Sequence, residues 1–318
     1  MLSFDDFAGQ SAHIVQLHSD FASHAFVHAY LFTGPRGTGK KSVARLCAMA
    51  ALCRGEGKRP CGACGPCRRV LAGTHPDVHT VEPEAGKQKI GVDVLRGVIE
   101  EVSVRAFEDG VKALIFPEAE RMTPQAQNCL LKTLEEPPED TVFFLITDQP
   151  GAMLPTIVSR CRRLRFSPVS VEACAAILAE KGVEPGRARL AAACAQGAVG
   201  RALEIAGDED YLPLRGKALS SLKALSSGKV GVARAISFLG EGKSAAACAP
   251  EWLEILEVVA RDLMARENGG TPYGDTGDLT LDGRALLLGV METRKLVASN
   301  VSFLAALEKM YLALAGSR

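Results

Sequence analysis

The first half of the chain alternates short apolar runs with helical patterns, and this order restricts the possible folds more than any other feature. The apolar runs predict strands over residues 28–33, 78–81, 111–116, 141–147 and 162–166. Helical patterns lie between them, for example over 40–52, 93–104 and 124–135. Strands that alternate with helices in this way favour a mostly parallel sheet covered by helices on both faces.

The pattern changes after Pro168, where runs typical of strands give way to Ala-rich helical segments separated by Gly, Pro and Asp, for example over 188–195 and 201–205. We therefore predict an α/β domain over residues 1–166. A small helical domain follows over 167–206, and a larger all-α domain over 207–318.

Composition excludes several functional classes. The chain has 37 Lys and Arg against 37 Asp and Glu, whereas a dedicated nucleic-acid-binding protein usually has a basic excess. The sequence lacks a signal-peptide pattern, and no run approaches the ~20 apolar residues of a membrane-spanning helix. We therefore expect a cytoplasmic protein without a membrane partner.

A glycine-rich segment follows the first predicted strand and precedes a helix. Its sequence is Gly-Pro-Arg-Gly-Thr-Gly-Lys over residues 34–40. Such a loop can surround a phosphate with backbone N–H groups while the lysine reaches the terminal phosphates. An ordinary glycine-rich turn is the alternative. The candidate nucleotide-binding residues are Gly34, Gly37, Thr38, Gly39, Lys40, Lys41 and Ser42.

The magnesium site that accompanies such a loop departs from the pattern at two positions. The residue after the loop lysine normally ligates Mg²⁺ through a hydroxyl, but Lys41 stands there. Ser42 is one residue further, a rotation of about 100° around the helix. The third predicted strand leads into Pro117-Glu118 where a hydrolase places Asp-Glu. We expect a defective metal site, with Glu118 either a residual catalytic group or a solvated residue.

Four cysteines are close together in the sequence: Cys53, Cys61, Cys64 and Cys67. Gly62, Gly65 and Pro66 allow tight turns between them, and four thiolates suit a tetrahedral zinc ion with no open position. The sequence therefore predicts a structural zinc site in an insertion over 53–67. Redox pairing and free buried cysteine are the alternatives.

An arginine-rich segment covers residues 160–165 and contains four arginines without an acid. A solvated surface patch is the default interpretation. The sharper hypothesis is an arginine finger, which offers a guanidinium to a phosphate bound elsewhere, for example on another subunit.

Several motifs together resemble the clamp-loader subunits of bacterial DNA polymerase III. These are the run Asn-Cys-Leu-Leu-Lys-Thr-Leu-Glu-Glu-Pro-Pro-Glu over 128–139, Ser159-Arg160-Cys161, the four-cysteine insertion and His75-Pro76-Asp77. The resemblance covers residues 5–205. It implies an AAA+ P-loop domain over 1–166, a helical lid over 167–206 and a helical collar over 207–318 that holds a hetero-pentamer together.

The resemblance also implies roles for single residues. The position of Arg160 acts in trans on ATP bound by the neighbouring subunit. Arg201 occupies the place of a nucleotide-sensing arginine in the lid, and Thr147, at the end of the fourth predicted strand, the place of a polar sensor.

Within this family, Lys41 and Pro117 favour a stator-like subunit over the motor type. Such a subunit helps to load the sliding clamp onto primed DNA and does not itself hydrolyse ATP. The implied partners are gamma/tau and delta subunits, with clamp and DNA engaged through the assembly. The implied cofactors are structural zinc and ATP or ADP, with a defective Mg²⁺ site. An active gamma/tau-like ATPase is the alternative, and a zinc-dependent DNA-binding module is a third hypothesis.

Overall fold

The structure, a computed structural model, describes residues 3–7, 11–103, 106–107, 110–239, 247–269, 276 and 279–316. The chain divides into two compact units, Met1–Val169 and Ser170–Arg318. Across these described ranges, every helix is too short or too polar to span a lipid bilayer.

The first unit contains a five-stranded sheet in which all neighbouring strands are parallel. The strands are β1 (Ala29–Thr33), β2 (Val78–Thr80), β3 (Lys112–Phe116), β4 (Thr141–Thr147) and β5 (Arg162–Arg165). Their spatial order is β2-β3-β4-β1-β5. Each predicted strand is present, with bounds that differ by at most one residue, and the parallel sheet is confirmed.

Helices cover the sheet on both faces. They are α1 (Ser11–Ala22), α2 (Lys40–Leu52), α3 (Gly65–Ala72), α4 (Val92–Ser103), α5 (Pro124–Glu135) and α6 (Pro155–Val158). Tyr30 and Phe32 of β1 belong to one core, which includes residues of α1 and α2. Leu31 belongs to a second core with residues of α4, α5 and α6. Because both faces are covered, every residue of β1, β3 and β4 is buried, which explains the apolar runs that make up most of each strand.

The edge strand β5 shows the opposite pattern. Arg162, Arg163 and Arg165 are exposed, and Leu164 packs into the core. Charged side chains on an edge strand oppose pairing with a further strand. The arginine-rich sequence is therefore compatible with a strand at this position.

Within its described residues the second unit consists of helices and their connecting turns and loops, without a strand. Its helices are α7 (Val171–Glu180), α8 (Pro185–Cys194), α9 (Val199–Gly207), α10 (Tyr211–Ala224), α11 (Gly228–Ser237), α12 (Ala249–Glu267), α13 (Gly283–Ala298) and α14 (Phe303–Gly316). The predicted change from α/β to all-α structure is present. The further division of this unit into 167–206 and 207–318 stays a prediction.

The sheet topology brings the carboxyl ends of β1, β3 and β4 together. Thr33 at the end of β1 pairs with Thr147 at the end of β4, and the backbone N–H of Gly34 donates to the Thr147 carbonyl at 3.3 Å. In open parallel α/β sheets, ligands bind at the carboxyl ends of the strands, at the point where the strand order reverses direction. Thr147 therefore lies next to the glycine-rich loop, and its role as a polar sensor stays a prediction.

Candidate functional site

The glycine-rich loop runs from Gly34 after β1 to Gly39 before α2, and three of its glycines are required by backbone conformation. Gly34, Gly37 and Gly39 have φ angles of 139°, 75° and 87°, in the region that side chains disfavour. A Cβ atom on Gly34 would also lie 2.1 Å from the Phe166 carbonyl oxygen. The Thr38 hydroxyl donates to the Pro35 carbonyl at 2.9 Å, which closes the loop.

Lys40 lies inside this loop. Its Nζ donates to the carbonyl oxygens of Gly34 and Pro35, both at 2.6 Å, and the residue is 7% exposed. Burial lowers the pKa of Lys40 to about 8, although the carboxylates of Asp148 and Glu120 favour its charged form. At neutral pH the lysine is therefore a mostly protonated ammonium inside a glycine loop, the arrangement that binds a phosphate group.

Two carboxylates beside Lys40 are not among the residues that sequence reasoning selected. Glu120 lies in the turn after β3, where burial raises its pKa although the Thr147 hydroxyl favours the charged carboxylate. Asp148 directly follows β4. Each has a buried carboxylate oxygen without a hydrogen-bond partner among the described residues. Their positions just beyond two parallel strands are the signal that could have found them.

The metal-ligand position of the loop holds an ion pair. Lys41 Nζ lies 3.0 Å from Glu82 Oε1, with 42% and 56% of these side chains exposed. Ser42 is the third residue of α2, two positions after Lys40, and is half-buried. An ammonium cannot ligate a cation, so the side chain at this position cannot supply the expected metal contact.

Glu118 directly precedes the short turn Ala119–Arg121 that follows β3. Its Oε2 lies 2.7 Å from Arg121 Nη1, and about two fifths of each side chain is exposed. The contact is local and largely solvated. Glu118 therefore pairs with Arg121. The carboxylates that act on Lys40 are those of Glu120 and Asp148.

The four clustered cysteines come together as their spacing predicts. Their Sγ atoms all lie within 4.8 Å of one another, so Cys53, Cys61, Cys64 and Cys67 could hold a metal ion such as zinc. Cys53 directly follows α2, Cys64 directly precedes α3 and Cys67 lies within α3. Two helix ends therefore hold three of the four ligands.

Backbone N–H groups surround these sulfurs. Cys61 N donates to Cys53 Sγ and Cys64 N to Cys61 Sγ, each at 3.3 Å. The N–H groups of Cys64 and Ala63 lower the pKa of Cys61 to about 6, because they stabilise the thiolate. A Cβ atom on Gly55 would lie 2.5 Å from Cys61 Sγ. The four thiols and the N–H groups around them fit a structural site with four thiolate ligands. A zinc ion bound there would link the end of α2 to the start of α3.

Arg160 follows the short helix α6. Its Nη1 donates to the Thr156 carbonyl at 3.1 Å, and its Nη2 lies 2.5 Å from Glu135 Oε1. The side chain remains 36% exposed, whereas the next residue, Cys161, is 9% exposed. The guanidinium therefore lies at the surface of the first unit, beside the end of α5.

Gln127 on α5 connects that helix to the start of α6. It is 4% exposed, and its Nε2 donates to the carbonyls of Met122 at 3.4 Å and Ala152 at 3.1 Å. Its Oε1 accepts from Leu154 N at 2.8 Å. One buried side chain thus satisfies three backbone groups that precede α5 and α6.

We predict that Gln127→Leu lowers the free energy of unfolding by about 1–3 kcal/mol, because it leaves buried backbone groups without partners. Urea unfolding followed by circular dichroism measures the change. Gln125→Leu is the matched control, since Gln125 is exposed on the same helix, and it should change stability by less than about 0.5 kcal/mol. Equal effects of the two variants would contradict this role of Gln127.

Arg201 lies on α9 in the second unit and is bound within that unit. Its Nε and Nη2 lie 3.0 and 2.7 Å from the two carboxylate oxygens of Glu254 on α12, and Nη1 lies 3.1 Å from Glu204. Its guanidinium also lies 5.8 Å from the Tyr211 ring centre. These contacts raise the pKa of Arg201, with the Glu254 hydrogen bond as the largest cause. Its role as a nucleotide sensor stays a prediction.

Fold and loop together define the class of protein. A parallel sheet with helices on both faces, a glycine loop at the carboxyl end of β1 and a buried loop lysine form an α/β P-loop domain. A helical region follows it. This is the AAA+ type of architecture that the motifs of the sequence predict.

Comparison with known proteins specifies the family. A family model described as "DNA polymerase III, delta subunit" matches residues 9–170. The DNA polymerase III subunit delta' of Bacillus subtilis is 37% identical over 214 residues, which cover 67% of this chain and 64% of that protein. The chain therefore belongs to the delta-prime family of DNA polymerase III clamp-loader subunits.

Two further similarities lie outside that group. The subunit tau of Bacillus subtilis is 37% identical over 171 residues, 54% of this chain and 30% of that protein. The gamma subunit-related protein of Thermotoga maritima has a TM-score of 0.49 at 19% identity, covering 94% of this chain and 99% of that one. The match to each of these curated relatives, delta' and tau, spans less than two thirds of the relative's own length.

Proposed function

We propose that this chain is a delta-prime-type clamp-loader subunit that does not hydrolyse ATP and instead offers Arg160 to the ATP site of a neighbouring subunit. One contrast carries the proposal. The position that should ligate Mg²⁺ holds the ammonium of Lys41, paired with Glu82, while the Arg160 guanidinium is accessible at the surface. Phosphoryl transfer depends on charge neutralisation by a metal ion and by arginine. In this proposal the chain supplies the arginine but not the metal site.

In this proposal the chain acts within an assembly. Its partners are gamma/tau and delta subunits in a hetero-pentamer, which loads the sliding clamp onto primed DNA. Residues 167–206 act as the lid, with Arg201 as a nucleotide sensor, and 207–318 as the collar. The neutral net charge supports a subunit that leaves most DNA contacts to the assembly. Family membership supports the same partners.

The cofactors follow from the same argument. Cys53, Cys61, Cys64 and Cys67 hold a structural zinc ion, which takes no part in phosphoryl transfer because four protein ligands leave no open position. The loop around Lys40 binds the phosphates of ATP or ADP without a competent metal site. Thr147 lies beside that loop as the polar sensor.

We predict that the isolated chain has no Mg²⁺-dependent ATP turnover above background. Phosphate release should be the same with Mg²⁺, with EDTA and in Lys40→Ala, since the chain lacks the metal contact that the reaction requires. Turnover that depends on Mg²⁺ and disappears in Lys40→Ala would contradict the proposal.

An active motor of the gamma/tau type is the second candidate function. The observation in its favour is the pair of carboxylates, Glu120 and Asp148, which act on Lys40 at the carboxyl ends of β3 and β4. Carboxylates at these ends could compensate for Pro117. If Mg²⁺-dependent turnover is found, its loss in Glu120→Gln would support this motor function.

A further inference from the structure

The guanidinium of Arg160 is held at two points that come from different helices. Nη1 donates to the Thr156 carbonyl within the segment of α6, and Nη2 contacts the Glu135 carboxylate at the end of α5. An arginine side chain has five N–H donors. Within the described residues these contacts use two of them, so three N–H groups of the guanidinium remain for a further anion.

Glu135 has no evident role in stabilising its own helix. It is the last residue of α5, where the helix dipole disfavours a negative charge. Half of its side chain is exposed, and an exposed ion pair of this kind contributes little to folding stability. The consequence of the contact therefore lies in the conformation of Arg160.

The two helices that hold Arg160 are connected to each other. Gln127, two turns before Glu135 on α5, binds the backbone of Ala152 and Leu154 at the start of α6. Glu135 then contacts Arg160 beyond the end of α6. The guanidinium is thus fixed relative to a buried hydrogen-bond network, although it lies at the surface.

We propose that Glu135 is a positioning residue, which holds the Arg160 guanidinium in one conformation so that its remaining N–H groups meet a phosphoryl group on the neighbouring subunit. This inference rests on the proposed function. An arginine that is already ordered loses less conformational entropy when it meets a phosphate, and pre-organisation of this kind increases the stabilisation of the transition state.

The test uses the complete complex reconstituted with the motor and delta subunits of the same organism, in the presence of clamp and primed DNA. Glu135→Ala should lower kcat for ATP at the affected site roughly ten-fold, less than the about 10²-fold loss that a 1 Å misplacement of a catalytic group can cause, with KM unchanged. Glu136→Gln is the matched control: it lies one residue away, is exposed and has no ion pair or side-chain hydrogen bond among the described residues. It should leave kcat unchanged.

A double mutant separates positioning from a general structural effect. Because Glu135 acts through Arg160, Glu135→Ala should cause no further loss when combined with Arg160→Ala. An additive loss, an unchanged kcat or an increased kcat in Glu135→Ala would overturn the inference. If Arg160→Ala itself has no effect, the proposed function fails instead, so the two failures are distinguishable.

Discussion

Replacing Arg160 by alanine is expected to lower the ATP turnover of the reconstituted complex at the affected site by about 10³-fold or more, the range found for arginine fingers. The reason is charge: the guanidinium stabilises the negative charge that develops on the transferred phosphoryl group. Assembly should persist, since Arg160 is exposed and the described polar contacts of its side chain are with Glu135 and Thr156, both within the same chain. ATP turnover in the presence of clamp and DNA, with size-exclusion chromatography of the complex, measures both effects.

Arg163→Ala is the matched control for this prediction. Arg163 is exposed on β5, three residues from Arg160. Its replacement by alanine removes the same charge from the same segment of the chain. The ATP turnover of a complex that contains Arg163→Ala should remain close to that of the unmodified complex. If Arg160→Ala prevents assembly and has no separable effect on ATP turnover, Arg160 is a structural residue. A similar loss of ATP turnover in both variants would instead indicate a general role of the positively charged segment.

Removal of the metal is the second change with a large expected effect. We expect one zinc ion per chain, bound by the four cysteines whose sulfurs lie within 4.8 Å of one another. A ligand at about 1,000 times its dissociation constant stabilises the folded state by about 4 kcal/mol. Chelation, or Cys64→Ser, should therefore lower the melting temperature markedly, because the ends of α2 and α3 lose their shared ligand.

Elemental analysis and thermal unfolding check this prediction together. Cys129→Ser is the control, since Cys129 is half-buried like Cys64 but lies on α5, outside the cluster. It should keep one zinc ion per chain. A protein that contains no metal, and whose melting temperature responds to reductant instead of chelator, would favour redox pairing of these thiols.

Local signals explain why several helices were predicted with correct bounds. The helix α5 covers Pro124–Glu135 as predicted, because Thr123 caps it through a hydrogen bond from Ala126 N and proline occupies its first position. The helix α2 begins at Lys40 directly after Gly39, whose φ of 87° ends the loop. Such signals act over a few residues and can be recognised in a single sequence.

The second helical region was predicted less well in its details. Residues 188–195 and 201–205 were predicted as helices, whereas α8 covers Pro185–Cys194 and α9 covers Val199–Gly207. The Glu184 side chain accepts hydrogen bonds from Gly186 N and Arg187 N and so starts α8 three residues earlier. Glutamate is a less common cap than Ser, Thr, Asp or Asn, which made this start difficult to recognise.

The sequence by itself determined the α/β P-loop fold, the glycine loop and the cysteine cluster, because these depend on periodicity and on spacing between near neighbours. Only the tertiary structure decided which side chains meet across the chain. It placed Glu120 and Asp148 beside Lys40, Glu135 against Arg160 and Glu254 against Arg201. The partners of Arg160 and Arg201 are 25 and 53 residues away from them, and local patterns carry no information about contacts at such separations.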